Sequence, residues 1–354
     1  MLMLLPASVL RRCLLIGLLV LLSPIISQAQ SDAKEPDSSA AVPRGPVFAV
    51  EGATIRLGAL YQVDATAQDT DNPSGFDIRA ARLRMAAKSH GVEAFLQTDF
   101  TKTTPLYDVR VRYTPIKQIR LTAGLFKSPF SRSHLWSRSG IPLVERPVAV
   151  DAIAPRRQVG FELQARDASE RVSLRAGIFN GTGRTPRSND DNNFLYVGRL
   201  KLKQDVARAT FSLGANAAYS IDSDVNLGAL SSSFSGTRAV FGADASITSG
   251  LWLFAIEGLA ANVSPDGGLD RRATGGYVVA GAPLFSSSLQ IVARYQRFYA
   301  DIAGESDQEW IEAGLNYRPA AAVRFQLTGG VPYDKSPSPD DGPRATLRFQ
   351  FALN

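Results

Sequence analysis

From residue 53 onward the chain alternates. In Ile55-Leu57-Ala59-Tyr61-Val63 the apolar positions are separated by Arg56, Gly58, Gln62 and Asp64, the period-two signature of a strand with one apolar and one polar face. Ala81-Leu83-Met85 stand against Arg82 and Arg84, Val109-Val111-Tyr113 against Arg110 and Arg112, and Ile119-Leu121-Ala123 against Arg120 and Thr122. The pattern recurs to the last residues, where Ala345-Leu347-Phe349-Phe351-Leu353 alternate with Thr346, Arg348 and Gln350. Short separators such as Ser249-Gly250 trade places with long polar ones, among them 68–75, 181–193, 222–236, 265–271, 302–307 and 334–343. Short turns on one rim and long loops on the other predict an all-β, 16-stranded antiparallel transmembrane barrel. A soluble sandwich or propeller also alternates, with its apolar face turned inward. Aromatics near strand ends (Tyr61, Tyr113, Tyr219, Tyr317, Phe351) favour the inverted arrangement, in which they form interfacial girdles.

The ends set the domain plan. Arg11 and Arg12 precede an apolar run, Cys13 to Ile26, and Ser27-Gln28-Ala29 supplies small residues for cleavage, so residues 1–29 read as a signal peptide. The run is 14 residues, short of the roughly 20 that a spanning helix needs. Residues 30–52 read as a flexible leader rich in Ser, Pro and Ala, and 53–354 as the barrel. Cys13 is the only cysteine, so the mature chain has no disulfide, thiolate ligand or cysteine nucleophile.

Charge changes the picture at one place. Between Gly124 and Phe161 the alternation stops, and from Lys127 to Arg157 six cations (Lys127, Arg132, Arg138, Arg146, Arg156, Arg157) face two acids, Glu145 and Asp151, a net +4. Without residues 1–29 the chain holds 37 cations and 33 acids, again +4, so the remainder is neutral. Folded into a lumen beside Arg82, Arg84, Arg110, Arg112 and Arg120, this loop would form a positive constriction suited to oxyanions, which the guanidinium fork binds with paired hydrogen bonds. Asp99, Asp108, Glu145, Asp151 and Glu162 are the acids available to neutralise part of it. Only eight of the 39 basic residues are lysine, so part of the arginine content reflects composition alone.

Other features carry less. His90 and His134 are too few and too far apart for a metal site. Pro129, Pro142, Pro147 and Pro155 keep the loop from pairing with a strand edge. Asp190-Asp191-Asn192-Asn193 has calcium-binding residue types but reads as a solvated loop. Trp136 reads as a packing anchor for the basic loop. A hydrolase on a barrel would need a serine or aspartate beside a histidine; only His134 has such neighbours, without triad spacing. No cofactor and no nucleic-acid partner is expected.

GLFKSPFS at Gly124 to Ser131, Glu145-Arg146, Phe179-Asn180-Gly181, Ala293-Arg294-Tyr295, Gly314-Leu315-Asn316-Tyr317 with Val323-Arg324, and FDIRAARLRM at Phe76 to Met85 resemble the phosphate-selective porin O/P family of bacterial outer membranes. The resemblance implies a homotrimeric channel in outer-membrane lipid, with a third extracellular loop folded into its lumen and selectivity for anions such as phosphate or polyphosphate-like oxyanions. The strands starting near Ile55, Phe76, Val92, Leu106 and Ile119 make the basic segment that third loop. Family members usually end in an aromatic residue read during assembly, whereas this chain ends Phe351-Ala352-Leu353-Asn354. The alternatives are a non-selective or plugged structural barrel and, further off, an outer-membrane hydrolase.

Overall fold

The computed structural model describes residues 44–69, 72–185, 188–189, 191–226, 233–301, 307–333 and 342–354. The segments expected to be a signal peptide and, for the most part, a leader lie outside the described residues, as do Asp190 and parts of the segments 222–236, 302–307 and 334–343.

Among the described residues seventeen strands form one antiparallel sheet. They are β1 (Val47–Val50), β2 (Ala53–Gln68), β3 (Gly75–Ser89), β4 (Val92–Asp99), β5 (Leu106–Ile116), β6 (Ile119–Lys127), β7 (Arg157–Arg166), β8 (Val172–Phe179) and β9 (Leu195–Val206), followed by β10 (Ala209–Asn226), β11 (Ser233–Ser249), β12 (Trp252–Pro265), β13 (Arg271–Leu284), β14 (Ser286–Ala300), β15 (Gln308–Ala320), β16 (Val323–Pro332) and β17 (Arg344–Leu353). Each pairs with the next, and β17 returns to β2 with Phe351 opposite Tyr61 and Leu347 opposite Ala65. The sheet is therefore closed. Strand β1 takes the same side of β2 as β17, opposite Ala53–Arg56, just below the stretch that β17 covers. The Gly45 amide donates to the Asn354 carbonyl at 2.7 Å, joining the two end to end. Seventeen strands thus make sixteen staves. This corrects the expected leader, which gives up Val47–Val50 to the sheet because the end of β2 would otherwise be an unpaired edge.

Orientation of the two faces settles the choice between a soluble and a membrane barrel. Leu83 is 57% exposed while its neighbour Arg82 is 6% exposed. The same inversion runs through Leu213, Phe254, Ile291 and Ile311, exposed, against Gln62, Asp64, Glu312 and Arg348, buried. An apolar outside and a polar inside fit a barrel in hydrocarbon.

One arc of the inner wall departs from this rule. Leu253, Ala255, Leu259, Ala261 and Val263 of β12, with Ala273 and Val279 of β13 and Val292 and Phe298 of β14, face inward and are buried. They receive the long connection between β6 and β7, which folds into the lumen as α1 (Arg132–Leu135), a 3-10 turn (Arg138–Gly140) and α2 (Val148–Ile153). Phe130, Leu143, Ala149, Val150 and Ile153 from this connection join the same apolar cluster. A Cβ on Gly275 would lie 2.6 Å from that of Ala149, so the wall is hollowed where α2 seats. Gly275→Val is expected to cost about 1–3 kcal/mol through overpacking and to lift α2 off the wall. Single-channel conductance should rise with it; unchanged conductance and stability would sink this account.

Candidate functional site

The loop is fastened by six side chains from five strands. Backbone amides of Arg132 and Ser133 donate to the Glu257 carboxylate at 2.8 and 3.1 Å, that of Ser131 to Asn216 at 3.2 Å, and that of Val148 to Gln296 at 2.8 Å. On the opposite flank Arg348, Arg294 and Arg324 donate to the carbonyls of Val144 (2.6 Å), Glu145 (2.9 Å) and Ile141 (2.9 Å). A loop whose polar backbone is satisfied this way is a fixed constriction.

Because the loop covers the apolar arc, the open lumen runs along the other wall. A cavity of about 1560 Å³ lies there, and all eleven basic residues singled out from the sequence line it: Lys127, Arg132, Arg138, Arg146, Arg156 and Arg157 with Arg82, Arg84, Arg110, Arg112 and Arg120. They do not contribute alike. Arg82 pairs with Asp99 at 2.8 Å, Arg112 with Glu93 at 3.2 Å, Arg157 with Asp108 at 3.0 Å, and Arg138 with Glu145 at 3.5 Å. Arg110 has only a distant share of Asp108, at 3.9 Å.

The remaining six make no salt bridge among the described residues. Arg84 donates to the Asn354 side chain and Arg120 to Gln164 at 3.4 Å. Lys127 reaches across the turn to the carbonyls of His134, Leu135 and Trp136 at 2.6, 3.3 and 2.8 Å. Arg146 donates to the carbonyls of Ser133 and Trp136, and Arg156 to that of Asp151. Arg132 lies over the Trp136 ring, 4.4 Å from its centre. Neutral oxygens accept from Arg84, Arg120, Lys127, Arg146 and Arg156 and bring no opposing charge. Arg146 and Arg156 are thus both clamps of the loop and sources of positive potential, Lys127 is a third clamp, and Trp136 is packed against the apolar cluster.

The acids divide in the same way. Asp99 and Asp108 meet loop or wall arginines, Glu162 turns to Arg175 at 2.7 Å, and Asp151 engages Arg156 through its carbonyl. Arg199 with Asp244 (2.7 Å) and Arg238 with Asp222 (2.9 Å) are paired on the cavity lining itself, and behind the loop Arg294 pairs with Glu312 (2.6 Å) and Arg348 with Asp64 (2.7 Å), while Arg324 donates to loop carbonyls and to Asn316. The charge imbalance therefore belongs mainly to the open side.

Glu145 is the acid at the centre of the loop. Arg79 donates to both its oxygens at 3.0 and 3.2 Å, with Arg138 and Arg348 at 3.5 Å. Burial would raise its carboxyl, but Arg138, Arg79 and Arg348 outweigh burial and hold it down to about 2. A depressed carboxyl stabilises the fold above its unfolded value near 4.3 and loses that contribution as pH falls toward 2. The contribution of Glu145 to loop stability should therefore be flat from pH 8 to 5; loss of the wild-type stability advantage over Glu145→Gln within that window would contradict this. His134 is buried and held far below the usual histidine range by burial and by Lys127 and Arg146, so it stays uncharged.

Sequence reasoning missed Arg79, Tyr107 and Arg184, which also line the cavity. Arg79 shares parity with the outward-facing Leu83 and Met85 and lines the cavity as the extra residue of a bulge, Gln62 facing Ala80 and Val63 facing Ile78; Tyr107 depends on a second bulge and Arg184 on a second loop that lines the cavity. The Asp190 motif is described only from Asp191, whose carboxylate accepts from the Asn193 amide at 2.9 Å within its own turn.

A family model for phosphate-selective porin O and P matches residues 52–353. No curated protein matches the chain. Among solved structures, an anion-selective porin from Comamonas acidovorans is 13% identical, with 85% of this chain and 100% of that one covered and a TM-score of 0.62. OmpT of Vibrio cholerae is 9% identical over 87% and 100% of the two chains with a TM-score of 0.61, and the channel DcaP of Acinetobacter baumannii 11% over 88% and 100% with 0.60. At these identities the solved structures establish the shared barrel. The family match runs from the foot of the second strand to the end of the last, and with it the chain belongs to the phosphate-selective porin O and P family, channels of the bacterial outer membrane.

Proposed function

We propose that this porin is a passive, anion-selective diffusion channel for oxyanions such as phosphate or polyphosphate-like ions, working as a homotrimer. The observation that carries the reading is the asymmetry of the lumen. Six basic residues without a carboxylate partner among the described residues line the cavity that the loop leaves open, while behind the loop Arg294 and Arg348 each hold an acid. A positive, narrow, partly desolvated path attracts anions, and carbonyl-held cations cannot swing out to trap them. Guanidinium groups supply the forked donors that replace an oxyanion's hydration. The family is named for phosphate, the Comamonas porin of like fold is anion-selective, and OmpT of Vibrio cholerae has a solved trimer form.

Planar-bilayer recordings of the full-length protein test this directly. Under a salt gradient the reversal potential should carry the sign of an anion-permeable pore, and phosphate should block chloride current. A cation-selective pore would overturn the proposal, and no current from assembled trimers would favour a plugged barrel.

A further inference from the structure

One aromatic side chain gathers three lumen guanidiniums. Across β4 and β5, Gln97 faces Asp108 and Thr98 faces Leu106, so Tyr107 is the extra residue of a β-bulge. A bulge re-aims the side chain it carries. Here it lets Tyr107 and Asp108, adjacent in sequence, both line the cavity, which strict alternation forbids.

Arg157 lies 3.8 Å from the centre of the Tyr107 ring, Arg82 4.2 Å and Arg184 5.6 Å. Each guanidinium is also tied at one edge. Arg82 donates through Nε to Asp99 at 2.8 Å, Arg157 through Nε and Nη2 to Asp108 at 3.2 and 3.0 Å, and Arg184 through Nη1 to the carbonyls of Thr104 and Leu106 at 2.6 and 3.1 Å. A guanidinium resting on a ring and anchored at one edge keeps its remaining in-plane donors in a set direction. Direction matters for an oxyanion, which takes paired N–H donors, and little for spherical chloride.

From this geometry we propose that Tyr107 is a positioning residue that makes the pore prefer oxyanions to chloride by aligning Arg82, Arg157 and Arg184. The proposal rests on the anion-channel reading and is separable from it. Chloride currents of full-length wild-type, Tyr107→Phe and Tyr107→Leu trimers are recorded with inorganic phosphate as blocker, alongside reversal potentials in chloride. The phenylalanine variant, which keeps the ring, should bind phosphate within about twofold of wild type, and the leucine variant about tenfold more weakly. Both should keep the wild-type reversal potential, because no charge is removed. A merely structural role would move conductance and reversal potential as well. Should the leucine variant not assemble, Tyr107→Met supplies the same loss of ring at similar volume. Wild-type block in the leucine variant overturns the proposal, as does equal loss in the phenylalanine variant, which would assign the effect to the hydroxyl. An anion-selective wild type that phosphate does not block also overturns it, whereas a cation-selective wild type removes the underlying reading instead.

Discussion

Replacing Arg84, Arg110 and Arg120 together with glutamine is expected to collapse most of the anion preference while leaving the barrel intact. Arg84 and Arg120 hold only amide oxygens, and Arg110 lies 3.9 Å from an Asp108 that is already engaged by Arg157. Their removal therefore strands no carboxylate. A unit charge about 6 Å from a passing ion, at an effective dielectric near 40, contributes about 1.4 kcal/mol, or roughly tenfold in local anion concentration. Three such changes should bring the anion-to-cation permeability ratio close to one. The contrast is the paired double change Arg82→Gln with Asp99→Asn, which alters no net charge and should leave that ratio in place. Equal effects from the triple and the paired variant would show that the source of the field is misassigned.

The largest effect on stability is expected at Arg348→Met. This arginine is fully buried, bonds both oxygens of Asp64 at 2.7 Å, and donates to the Val144 carbonyl at 2.6 Å. Methionine would leave Asp64 charged and buried without its partner, at a cost of about 3–5 kcal/mol. It would also unfasten the loop at Val144, which should appear as open-channel noise. Adding Asp64→Leu to Arg348→Met should restore much of the stability, since a buried pair can be exchanged for packed apolar groups, but not the loop contact. Denaturant unfolding in detergent gives the first readout and single-channel recording the second. A loss below about 1 kcal/mol would place the strength of the β17–β2 closure in backbone pairing alone.

The alternation made the strands legible from Ile55 to Leu353 because each side chain points to the face opposite its neighbour's, and hydrocarbon accepts only one kind of face. Where that logic fails, so did the reading. Val47–Val50 lies within the stretch 30–52 that reads as a flexible leader, although it completes the side of β2 that β17 leaves uncovered. The inward face of β12 is hidden because Trp252-Leu253-Phe254-Ala255-Ile256 is apolar at both parities, one face for lipid and the other for the loop. Tyr107 was hidden by a bulge, which breaks period two by one residue.

By itself, then, the chain's order of residues determined the barrel, the place where its rhythm stops, and the excess of four positive charges in that segment, for these follow from local periodicity and a sum. Which charges survive as a field was decided only by the tertiary structure. Arg348 meets Asp64 across 284 positions, Arg79 meets Glu145 across 66, and Lys127 spends its donors on carbonyls that any residue would have supplied. Pairing depends on distances of a few ångströms between staves brought together by closure, and a linear count of charges carries no such distances.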